Sequence, residues 1–450
     1  MQIVILGAGY VGLVSSACFA EFGINVTCVD SDGERVRQLQ EGLVPIFEPG
    51  LEDLVKRNAA AGRLAFRYRL GDAVGKADAV FIAVGTPSRH GGQAADLSFV
   101  HQATRDIAKG LTPAMSRTVI VTKSTVPVGT AGSIEQIVVA ARPELIPGRD
   151  FDVASNPEFL REGSAIEDFM HPDRVICGTE SAHAEHVLRE LYSPLNLRNL
   201  PMMFTDRATA ELIKLASNSF LAMKVSFINE MADLCERCGA DVQDLAQGLG
   251  LDPRIGPRFL HPGPGFGGSC FPKDANALVA IAGELDVDVR LVEATIRVNE
   301  VRKAAMADRV REVMDGDIVG KRIAVLGVTF KPNTDDLREA PSLVIVPKLV
   351  EMGASVTAYD PAGAAAARAL PEFRNVRWAD SAEAALRGAD AVAVLTEWNE
   401  FRGLSAHRIA SLVRRPVVID LRNALNAQEM RNAGLRYYGV GRGRIRPPAP

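Results

Sequence analysis

The chain has 450 residues, of which 47% are hydrophobic and 24% charged, and its formal net charge at pH 7 is -4. This ordinary globular composition and the length predict two or three domains, and the small net charge gives no indication of binding to nucleic acid or to a membrane surface. A small anionic ligand stays possible.

The chain contains six scattered cysteines, at positions 18, 28, 177, 235, 238 and 270. They are too few for a disulfide framework in a chain of this length, which favours a reducing compartment. The sequence enters a strand at Gln2 without a basic leader, and no run of about 18 apolar residues occurs, so we expect a cytoplasmic protein without a membrane span. Cys235 and Cys238 form a C-x-x-C pair with no second pair, so we interpret them as packing residues and predict no metal site.

The first third of the chain has the pattern of a dinucleotide-binding fold. An apolar strand over 2–6 leads into Gly7-Ala8-Gly9-Tyr10-Val11-Gly12 and then into an Ala-rich helical pattern, which is the context that G-x-G-x-x-G requires. The glycines allow a pyrophosphate to approach the positive end of the helix. A second strand over 25–29 ends in Asp30, whose carboxylate suits the ribose hydroxyls of NAD and repels the 2′-phosphate of NADP. We therefore predict NAD as the cofactor, with Arg35 as an adenosine-side contact or a solvated charge.

Two more buried strands follow, over 79–84 and 118–122, and each ends in a small polar loop. The carboxyl ends of parallel strands line the ligand crevice of such a sheet. Thr86 and Thr125, in these loops, are therefore candidates for cofactor contact, and ordinary loop hydroxyls are the alternative interpretation.

The segment 154–163 places two carboxylates, Glu158 and Glu162, after a strand end and an X-Pro turn. Such a carboxylate near a bound sugar can orient hydroxyls or a water, and a pair of surface charges is the alternative.

The middle of the chain contains one long helical pattern, from about 208 to 237, without Gly or Pro and with apolar residues on several faces. A helix of this kind packs between domains or between subunits, so we predict a homodimer or a dimer-based oligomer, with a monomeric core helix as the alternative. Lys214 and Asn218 lie four residues apart on one face. A lysine on an apolar helix is costly to bury unless it meets a carboxylate or a ligand, which makes Lys214 a site candidate.

A Pro- and Gly-rich loop over 252–264 leads into a stretch from Gly265 to Asp274 that contains the thiol of Cys270. So long a loop with apolar residues is typical of a functional segment. The glycines around Cys270 let backbone and ligand approach closely, and we place the chemistry there. A surface turn that happens to contain cysteine is the alternative.

The last third of the chain repeats the first. Residues 321–327 echo the first strand and its glycine, and 353–360 match 23–30 in residue type. This second nucleotide-binding-like domain lacks G-x-G-x-x-G, so we expect its ligand to be a nucleotide joined to something else. Three cations occupy positions where such sheets bind anionic groups, with exposed charges as the alternative: Lys331, Arg338 and Arg422. The tail 442–450 is basic and Pro-rich, and we predict that it is disordered.

Together these motifs resemble those of the UDP-glucose/GDP-mannose dehydrogenase family, from residue 1 to about residue 442. The segments that carry the resemblance are Gly7 through Gly12, Lys123-Ser124-Thr125-Val126-Pro127, Asn156 through Gly163, Lys214 with Asn218, Gly265 through Asp274, and Phe330-Lys331. We predict an α/β fold with two doubly wound Rossmann-like sheets joined by a long central helix and an all-α middle region. The expected domains are NAD-binding (1–200), helical with the dimer contact and the cysteine loop (201–300), and UDP-sugar-binding (301–450).

The resemblance implies that the C6 alcohol of a UDP-sugar, UDP-glucose in the most similar branch, is oxidised twice by two NAD+ to the uronic acid. Cys270 would add to the intermediate aldehyde and pass through a thiohemiacetal and a thioester. Lys214 would steady the developing oxyanion and Asn218 would donate to the same oxygen. Asp274 would act as a base through a water, and Glu158 would serve the hydrolysis.

By the same resemblance, Thr125 would contact the hydrolytic water or the nicotinamide side, and Arg254 would cross to the substrate of a partner subunit. The implied substrate contacts also include Glu158, Phe159, Leu160, Lys214, Asn218, Phe259, Leu260, Gly267, Lys331 and Arg422. The implied cofactor contacts are Gly7, Gly9, Tyr10, Val11, Gly12, Asp30, Arg35, Thr86, Thr125, Glu162 and Arg338.

Three alternatives stay open. The substrate could be GDP-mannose or a UDP-N-acetylhexosamine. A catalytically silent NAD-dependent sensor would have no need for intact Cys270, Lys214 and Asp274. A one-step hydroxyacid dehydrogenase would leave Cys270 and the C-terminal sheet unused.

Overall fold

The computed structural model describes residues 1–87, 95–113, 117–198 and 201–443. The chain divides into two compact units, Met1–Ser217 with Asn276–Val287, and Asn218–Ala275 with Asp288–Pro450. Each unit is built around its own sheet.

The described part of the first unit contains a sheet of eight strands. They are β1 (Gln2–Leu6), β2 (Asn25–Val29), β3 (Leu64–Arg67), β4 (Ala79–Ile82), β5 (Thr118–Thr122), β6 (Phe151–Ser155), β7 (Val175–Gly178) and β8 (Met202–Thr205). Their order is β3-β2-β1-β4-β5-β6-β7-β8, and all neighbours are parallel except β6 and β7. The first six follow the doubly wound order that the dinucleotide motif predicts.

Helices cover both faces of this sheet. They are α1 (Tyr10–Glu21), α2 (Gly33–Gln40), α3 (Leu51–Ala60), α4 (Ser98–Gly110), α5 (Thr130–Ala141), α6 (Ala165–Met170) and α7 (Ala182–Leu191). Alternate residues of β1 enter different cores: Ile3 and Ile5 pack with α1, whereas Val4 and Leu6 pack with α4 and α5. Burial on both faces explains why the strands read as continuous apolar runs.

Four helices follow β8 and precede β9 in the described chain: α8 (Arg207–Cys238), α9 (Val242–Gly250), α10 (Phe271–Glu284) and α11 (Arg290–Val313). The 32-residue α8 begins in the first unit and ends in the second, as the predicted central helix does. In the second unit, Ile228 and Ala232 of α8 share a core with Met306 and Val310 of α11.

The second unit contains six strands within the described residues. They are β9 (Arg322–Leu326), β10 (Ser355–Tyr359), β11 (Arg377–Trp378), β12 (Ala391–Val394), β13 (Val417–Asp420) and β14 (Arg436–Gly439). All pairs are parallel, and the order β11-β10-β9-β12-β13-β14 repeats that of the first six strands of the other sheet. The predicted fold of two Rossmann-like sheets is therefore confirmed.

The remaining helices of this unit are shorter. They are α12 (Ser342–Glu351), α13 (Ala364–Arg368), α14 (Ala382–Leu386), α15 (Asn399–Arg402), α16 (Ala406–Leu412) and α17 (Ala427–Asn432). Short 3-10 turns occur at Val74–Lys76, Ser193–Arg198 and Pro371–Phe373. None of the helices in the described ranges is long and apolar enough to cross a membrane.

The last described residues are tied to the end of α8. The buried carboxylate of Glu236 accepts hydrogen bonds from Tyr438 Oη (2.6 Å) and Gly441 N (2.8 Å), and it pairs with Arg309 at 3.0 Å. Most of the predicted disordered tail, residues 444–450, lies outside the described part of the chain.

Candidate functional site

The glycine-rich turn after β1 is shaped by close backbone contacts. Gly7 has φ of 100° and donates to Val29 O at 2.7 Å. A Cβ on Gly12 would lie 1.8 Å from Gly7 O, whereas a Cβ on Gly9 would have no neighbour within 4 Å. Gly12 therefore permits tight packing, and Gly9 keeps the N-terminal end of α1 open. No side chain at the N-cap bonds the first turn of α1, which fits an incoming pyrophosphate.

Asp30 lies beside this turn, as the sequence predicts. Its Oδ2 accepts the Ala8 N–H at 2.6 Å, and its Oδ1 accepts the Asp32 N–H at 2.8 Å. Arg35 approaches the same carboxylate at 3.5 Å. The two predicted adenosine-side residues are thus neighbours in the fold.

Tyr10 joins the glycine-rich turn to the segment that contains Glu162. Its hydroxyl donates to Glu48 and accepts the Gly163 N–H at 2.8 Å, and Glu48 also accepts from Ala165 N at 2.7 Å. Burial first, and then the Glu48 carboxylate, raise the pKa of Tyr10 far above its usual range, so the phenol stays protonated. Glu48 is a residue that sequence reasoning missed, because nothing in its surrounding sequence marks it.

Thr86 and Thr125 lie at the carboxyl ends of β4 and β5, and they touch each other. Thr86 Oγ1 donates to Thr125 O at 2.9 Å. The Thr86 hydroxyl therefore holds the loop that carries Thr125. Its contact with cofactor stays a prediction.

Lys214 meets the carboxylate that its burial requires. In the first unit its Nζ lies 3.1 Å from Glu158 Oε1, with both side chains at most 6% exposed. The ammonium also lies 5.2 Å from the centre of the Phe159 ring. Glu158 Oε2 accepts the Leu160 N–H at 2.5 Å, so the turn after β6 and Lys214 form one connected group.

Cys270 stands at the start of α10 in the second unit. Its carbonyl accepts the Asp274 N–H at 2.8 Å in the first helical turn, and its partly exposed Sγ lies 3.5 Å from Ser269 Oγ. Asp274 is fully buried and accepts from Asn218 Nδ2 at 2.6 Å and from Lys273 Nζ at 2.7 Å. The helix α10 begins at Phe271, directly after the cysteine.

The loop before Cys270 is held by buried polar side chains of α8 and α11. Asn299 bonds both backbone groups of Phe266, at 2.8 and 3.1 Å. Both backbone groups of Gly263 are bonded as well, since Asn229 Oδ1 accepts its N–H at 2.8 Å and Arg302 Nε donates to its carbonyl at 3.0 Å. The loop is therefore rigidly supported, and none of these three side chains was predicted.

The glycines of this loop have a packing role as well as the predicted one of admitting a ligand. A Cβ on Gly267 would lie 2.2 Å from Glu339 O, and one on Gly268 would lie 2.7 Å from the Phe330 ring. The N–H of Gly268 donates to Arg338 O at 2.8 Å. The loop thus packs directly on the segment after β9.

Phe259 and Leu260 occupy different environments. Phe259 has φ of 65° and its ring packs on Phe271 with centroids 5.9 Å apart. Leu260 places its side chain in the core of the second unit, so a substrate contact from this residue would use its backbone.

The predicted cations of the second sheet differ in their surroundings. Arg422, after β13, donates to Leu395 O (2.8 Å) and Phe330 O (2.9 Å) and pairs with Glu397 at 3.3 Å. Lys331 Nζ lies 5.2 Å from the Phe330 ring centre. These groups cluster at the carboxyl ends of the strands, where such sheets bind ligands.

Arg338 and Arg254 project outward. Arg338 pairs with Asp336 at 2.7 Å, and Arg254, whose side chain is 87% exposed, pairs with Asp252 at 2.6 Å. Both guanidinium groups are accessible to a ligand or to another chain.

Comparison with known proteins gives a consistent result along the whole chain. Sequence models of the UDP-glucose/GDP-mannose dehydrogenase family match the NAD binding domain at residues 1–196, the central domain at 208–301 and the UDP binding domain at 324–427. The chain belongs to this family.

Individual relatives match over nearly their full length. The UDP-glucose 6-dehydrogenase of Rhizobium meliloti is 53% identical over 98% of this chain and 100% of its own, and that of Rickettsia conorii is 44% identical over 98% and 99%. A solved UDP-glucose dehydrogenase from Pyrobaculum islandicum superimposes with a TM-score of 0.88 at 37% identity, covering 98% of each chain. The predicted family and the predicted NAD cofactor are confirmed.

In this family member, the second unit brings Cys270, Asn218 and Asp274 together, and the first unit brings Lys214, Glu158 and Phe159 together. The individual roles of these residues stay predictions.

Lys123 is a further buried lysine in the first unit of this chain, and the sequence did not predict a role for it. It follows β5 and donates to Asn156 Oδ1 at 3.0 Å and to Tyr192 Oη at 3.2 Å. Burial lowers the pKa of Lys123 to about 8, with nearby Lys214 acting in the same direction and Glu158 opposing it. The position of this lysine directly after an apolar strand was the sequence feature that could have indicated its burial.

Proposed function

We propose that this chain is an NAD-dependent UDP-glucose 6-dehydrogenase that oxidises UDP-glucose to UDP-glucuronate in a four-electron reaction. The observation that carries the proposal is the similarity, over nearly the full length, to relatives named UDP-glucose 6-dehydrogenase. The thiol of Cys270 at the start of α10 agrees with it, since the Cys270 carbonyl is bonded in the first turn of that helix. The reaction consumes one water and two NAD+ for each UDP-glucose, and it releases two NADH and, with the uronate ionised, about three protons.

The first unit holds the cofactor in this proposal. The open end of α1 above Gly9 receives the pyrophosphate, and Asp30 accepts from the ribose hydroxyls. Bound NAD+ supplies a hydride acceptor in each of the two oxidations.

The first oxidation requires removal of the C6 hydroxyl proton. We assign this step to Asp274 acting through a water, because its carboxylate is buried and held by Asn218 and Lys273. Lys214 and Asn218 stabilise the oxygen on which negative charge develops.

The second oxidation uses the thiol. Cys270 Sγ bonds to the aldehyde carbon, and the resulting thiohemiacetal gives its hydride to the second NAD+ and its hydroxyl proton to water, which leaves a thioester. The N-terminal end of α10 stabilises the thiolate that this attack needs. Water then cleaves the C–S bond and returns the thiol, and we assign Glu158 and Thr125 to positioning this water.

The second unit holds the UDP moiety. Support comes from the match of residues 324–427 to the family's UDP binding domain and from Lys331 and Arg422 at the strand ends. The remaining predicted contacts, including Phe259, Leu260 and Gly267, line the approach to the thiol in this proposal.

Counting NADH per sugar tests the function. With limiting UDP-glucose and excess NAD+, we expect two NADH per sugar and formation of the uronate. One NADH per sugar would contradict the thioester route, and no NADH with UDP-glucose but turnover of GDP-mannose or a UDP-N-acetylhexosamine would reassign the substrate. Cys270→Ser serves as the matched variant, since it should bind both ligands yet form no uronate.

The homodimer is also part of the proposal. Phe220, Phe227 and Leu234 recur every seven residues along α8 and are each more than 40% exposed, which is a large apolar surface for one helix. Arg254 then supplies an exposed guanidinium for the partner's substrate. Light scattering should give twice the chain mass or a multiple of it, and a monomer mass would contradict the dimer.

We propose the cytoplasm as the compartment, since all six cysteines are free thiols.

A further inference from the structure

Glu211 is a buried carboxylate on α8 that takes no part in the proposed chemistry. It lies three residues before Lys214, close to one face of the same helix. Its Oε2 accepts the Gly129 N–H at 2.7 Å and its Oε1 accepts the Ala131 N–H at 2.9 Å, while Ser155 Oγ lies at 3.4 Å. Every one of these contacts is within the first unit.

The two backbone donors belong to the beginning of α5. The N-cap of α5 is Gly129, with φ of 92° and no side chain to cap the helix. The first N–H groups of a helix need acceptors, and these are usually supplied by a residue at the N-cap itself. Here the acceptor comes from 82 and 80 residues farther along the chain.

The capped helix end is also the end of the loop that carries Thr125. The start of this loop is held by Thr86 Oγ1, which donates to Thr125 O, and by Ser124 Oγ, which donates to Val84 O at 2.6 Å. Glu211 holds the other end. A small cavity lies between, and Thr125, Glu211 and Lys214 all line it.

We propose that Glu211 is a positioning residue that joins the Thr125 loop to the helix carrying Lys214 by capping α5 from α8. This inference rests on the proposed function, in which Thr125 positions the hydrolytic water near Lys214 and Glu158. Burial raises the pKa of Glu211, whereas the two backbone N–H groups oppose that rise. The hydrogen bonds thus offset part of the free-energy cost of burying this side chain.

The test compares Glu211→Gln with Glu135→Gln. Glu135 also links α5 to α8, through Arg207 at 2.9 Å, but its side chain is more exposed than that of Glu211 and, within the described residues, accepts from Arg207 rather than from a backbone N–H of the Thr125 loop. In Glu211→Gln, one amide oxygen cannot replace two carboxylate oxygens, so one backbone donor loses its acceptor. We expect amide hydrogen exchange at 125–131 to be roughly fivefold faster in Glu211→Gln and unchanged in Glu135→Gln.

Kinetics separate positioning from general support of the fold. In stopped-flow measurements Glu211→Gln should release two NADH per site in a burst and then turn over about tenfold more slowly than wild type, because hydrolysis is impaired. Its kcat/KM for UDP-glucose and its affinity for NAD should stay within about twofold of wild type, because both are set before the thioester is hydrolysed. If Glu211 acts through the loop, Thr125→Ala should add nothing to the steady-state defect of Glu211→Gln.

Wild-type exchange and turnover in Glu211→Gln would overturn the inference, as would fully additive effects of the two substitutions. If Glu211→Gln does not fold, Glu211→Asp provides the same comparison with the charge retained. Failure of the wild type to reduce NAD+ with UDP-glucose would contradict the proposed function instead, and the exchange measurement would still decide whether Glu211 caps α5.

Discussion

The two sheets of this protein share the turn after their first strand, but they differ in the segment that follows this turn. After the first strand of each sheet stands a glycine with positive φ, Gly7 at 100° and Gly327 at 85°. Each glycine donates to the end of the second strand, Gly7 to Val29 O at 2.7 Å and Gly327 to Tyr359 O at 2.8 Å. The shared strand order and the shared turn indicate one architecture used twice.

The two sheets differ in the segment that comes after this glycine. In the first sheet α1 begins three residues later, at Tyr10. In the second sheet α12 begins only at Ser342, after a segment that packs on the cysteine loop through Phe330 and Glu339. The short turn leaves a helix end open to phosphate, whereas the long segment is already in contact with protein.

The aspartates beside the two turns also differ in how many protein groups they bind. Asp30 bonds one residue of the turn, Ala8, and keeps part of its surface exposed. Asp360 is buried and accepts from Val328 N (2.7 Å), Thr329 N (3.1 Å) and Gly363 N (2.7 Å). The Asp360 carboxylate is therefore used by its own loop, whereas Asp30 keeps exposed surface for the ribose contact that we propose.

The largest expected effect comes from the glycines. Gly12→Ala should abolish NAD binding, with a loss of about 100-fold or more, because the new Cβ would lie 1.8 Å from Gly7 O. Gly327→Ala also clashes, with Thr396 at 2.4 Å, but should lower only the stability of the second unit and leave NAD affinity unchanged. NAD titration and thermal unfolding of both variants check this, and equal NAD loss in the two variants would contradict the comparison.

A smaller effect is expected from the aspartates. Asp30→Ala should weaken NAD by about 10- to 100-fold, since a hydrogen bond to a charged group contributes about 1.5 to 3 kcal/mol. Discrimination against NADP should fall as well. Asp360→Ala should leave NAD affinity intact and lower the free energy of unfolding, because it strands buried N–H groups. Parallel titrations with NAD and NADP decide the matter, and unaltered NAD affinity in Asp30→Ala would count against the assignment.

The smallest effect concerns β5 and β13, which occupy corresponding places in the two sheets. A buried base, Lys123, comes directly after β5, whereas β13 ends in a buried acid, Asp420. The pKa of Lys123 is about 8 in the folded protein and 10.5 for an ordinary lysine. Between these values the unfolded chain keeps the proton that the folded chain has lost, so Lys123 makes the free energy of unfolding rise with pH, by at most about 1.4 kcal/mol per pH unit.

Lys123→Met should remove this rise. Denaturant unfolding between pH 8 and 10 would show it as a wild-type minus variant difference that increases with pH. Lys56→Met, at an exposed lysine paired with Glu52, is the control and should leave the slope unchanged. A Lys123→Met slope identical to that of wild type would refute the lowered pKa.

Local signals in the sequence predicted the central strands of the first sheet, β1, β2, β4 and β5, and the strands β9 and β10 of the second. The bounds of β1, β2 and β5 are those that the apolar runs and their bounding residues indicate, whereas β4 ends at Ile82, two residues before the predicted end of the run 79–84. The repeat of glycine and aspartate also placed the second sheet. These features are set by residues close together in the chain, which a pattern can reveal.

The short strands β7 and β8 and the antiparallel contact between β6 and β7 were not predicted. The apolar runs of these two strands, 175–177 and 202–204, are too short to distinguish a strand from a loop.

Contacts between distant residues account for most of the site features that the sequence did not reveal. Glu211 lies 82 residues from Gly129, and Lys123 lies 33 from Asn156. The support of Phe266 by Asn299 is of the same kind. Polar residues of this sort look like ordinary helix or loop residues until the fold places them in the interior.

The anchoring of the last strand to Glu236 has a practical consequence for anyone who expresses this protein. A truncation before Tyr438 would remove two of the donors that satisfy the Glu236 carboxylate and leave Arg309 as its partner in the interior. Purification tags are therefore best fused after residue 443, and shortened versions intended for crystallisation should retain Gly441.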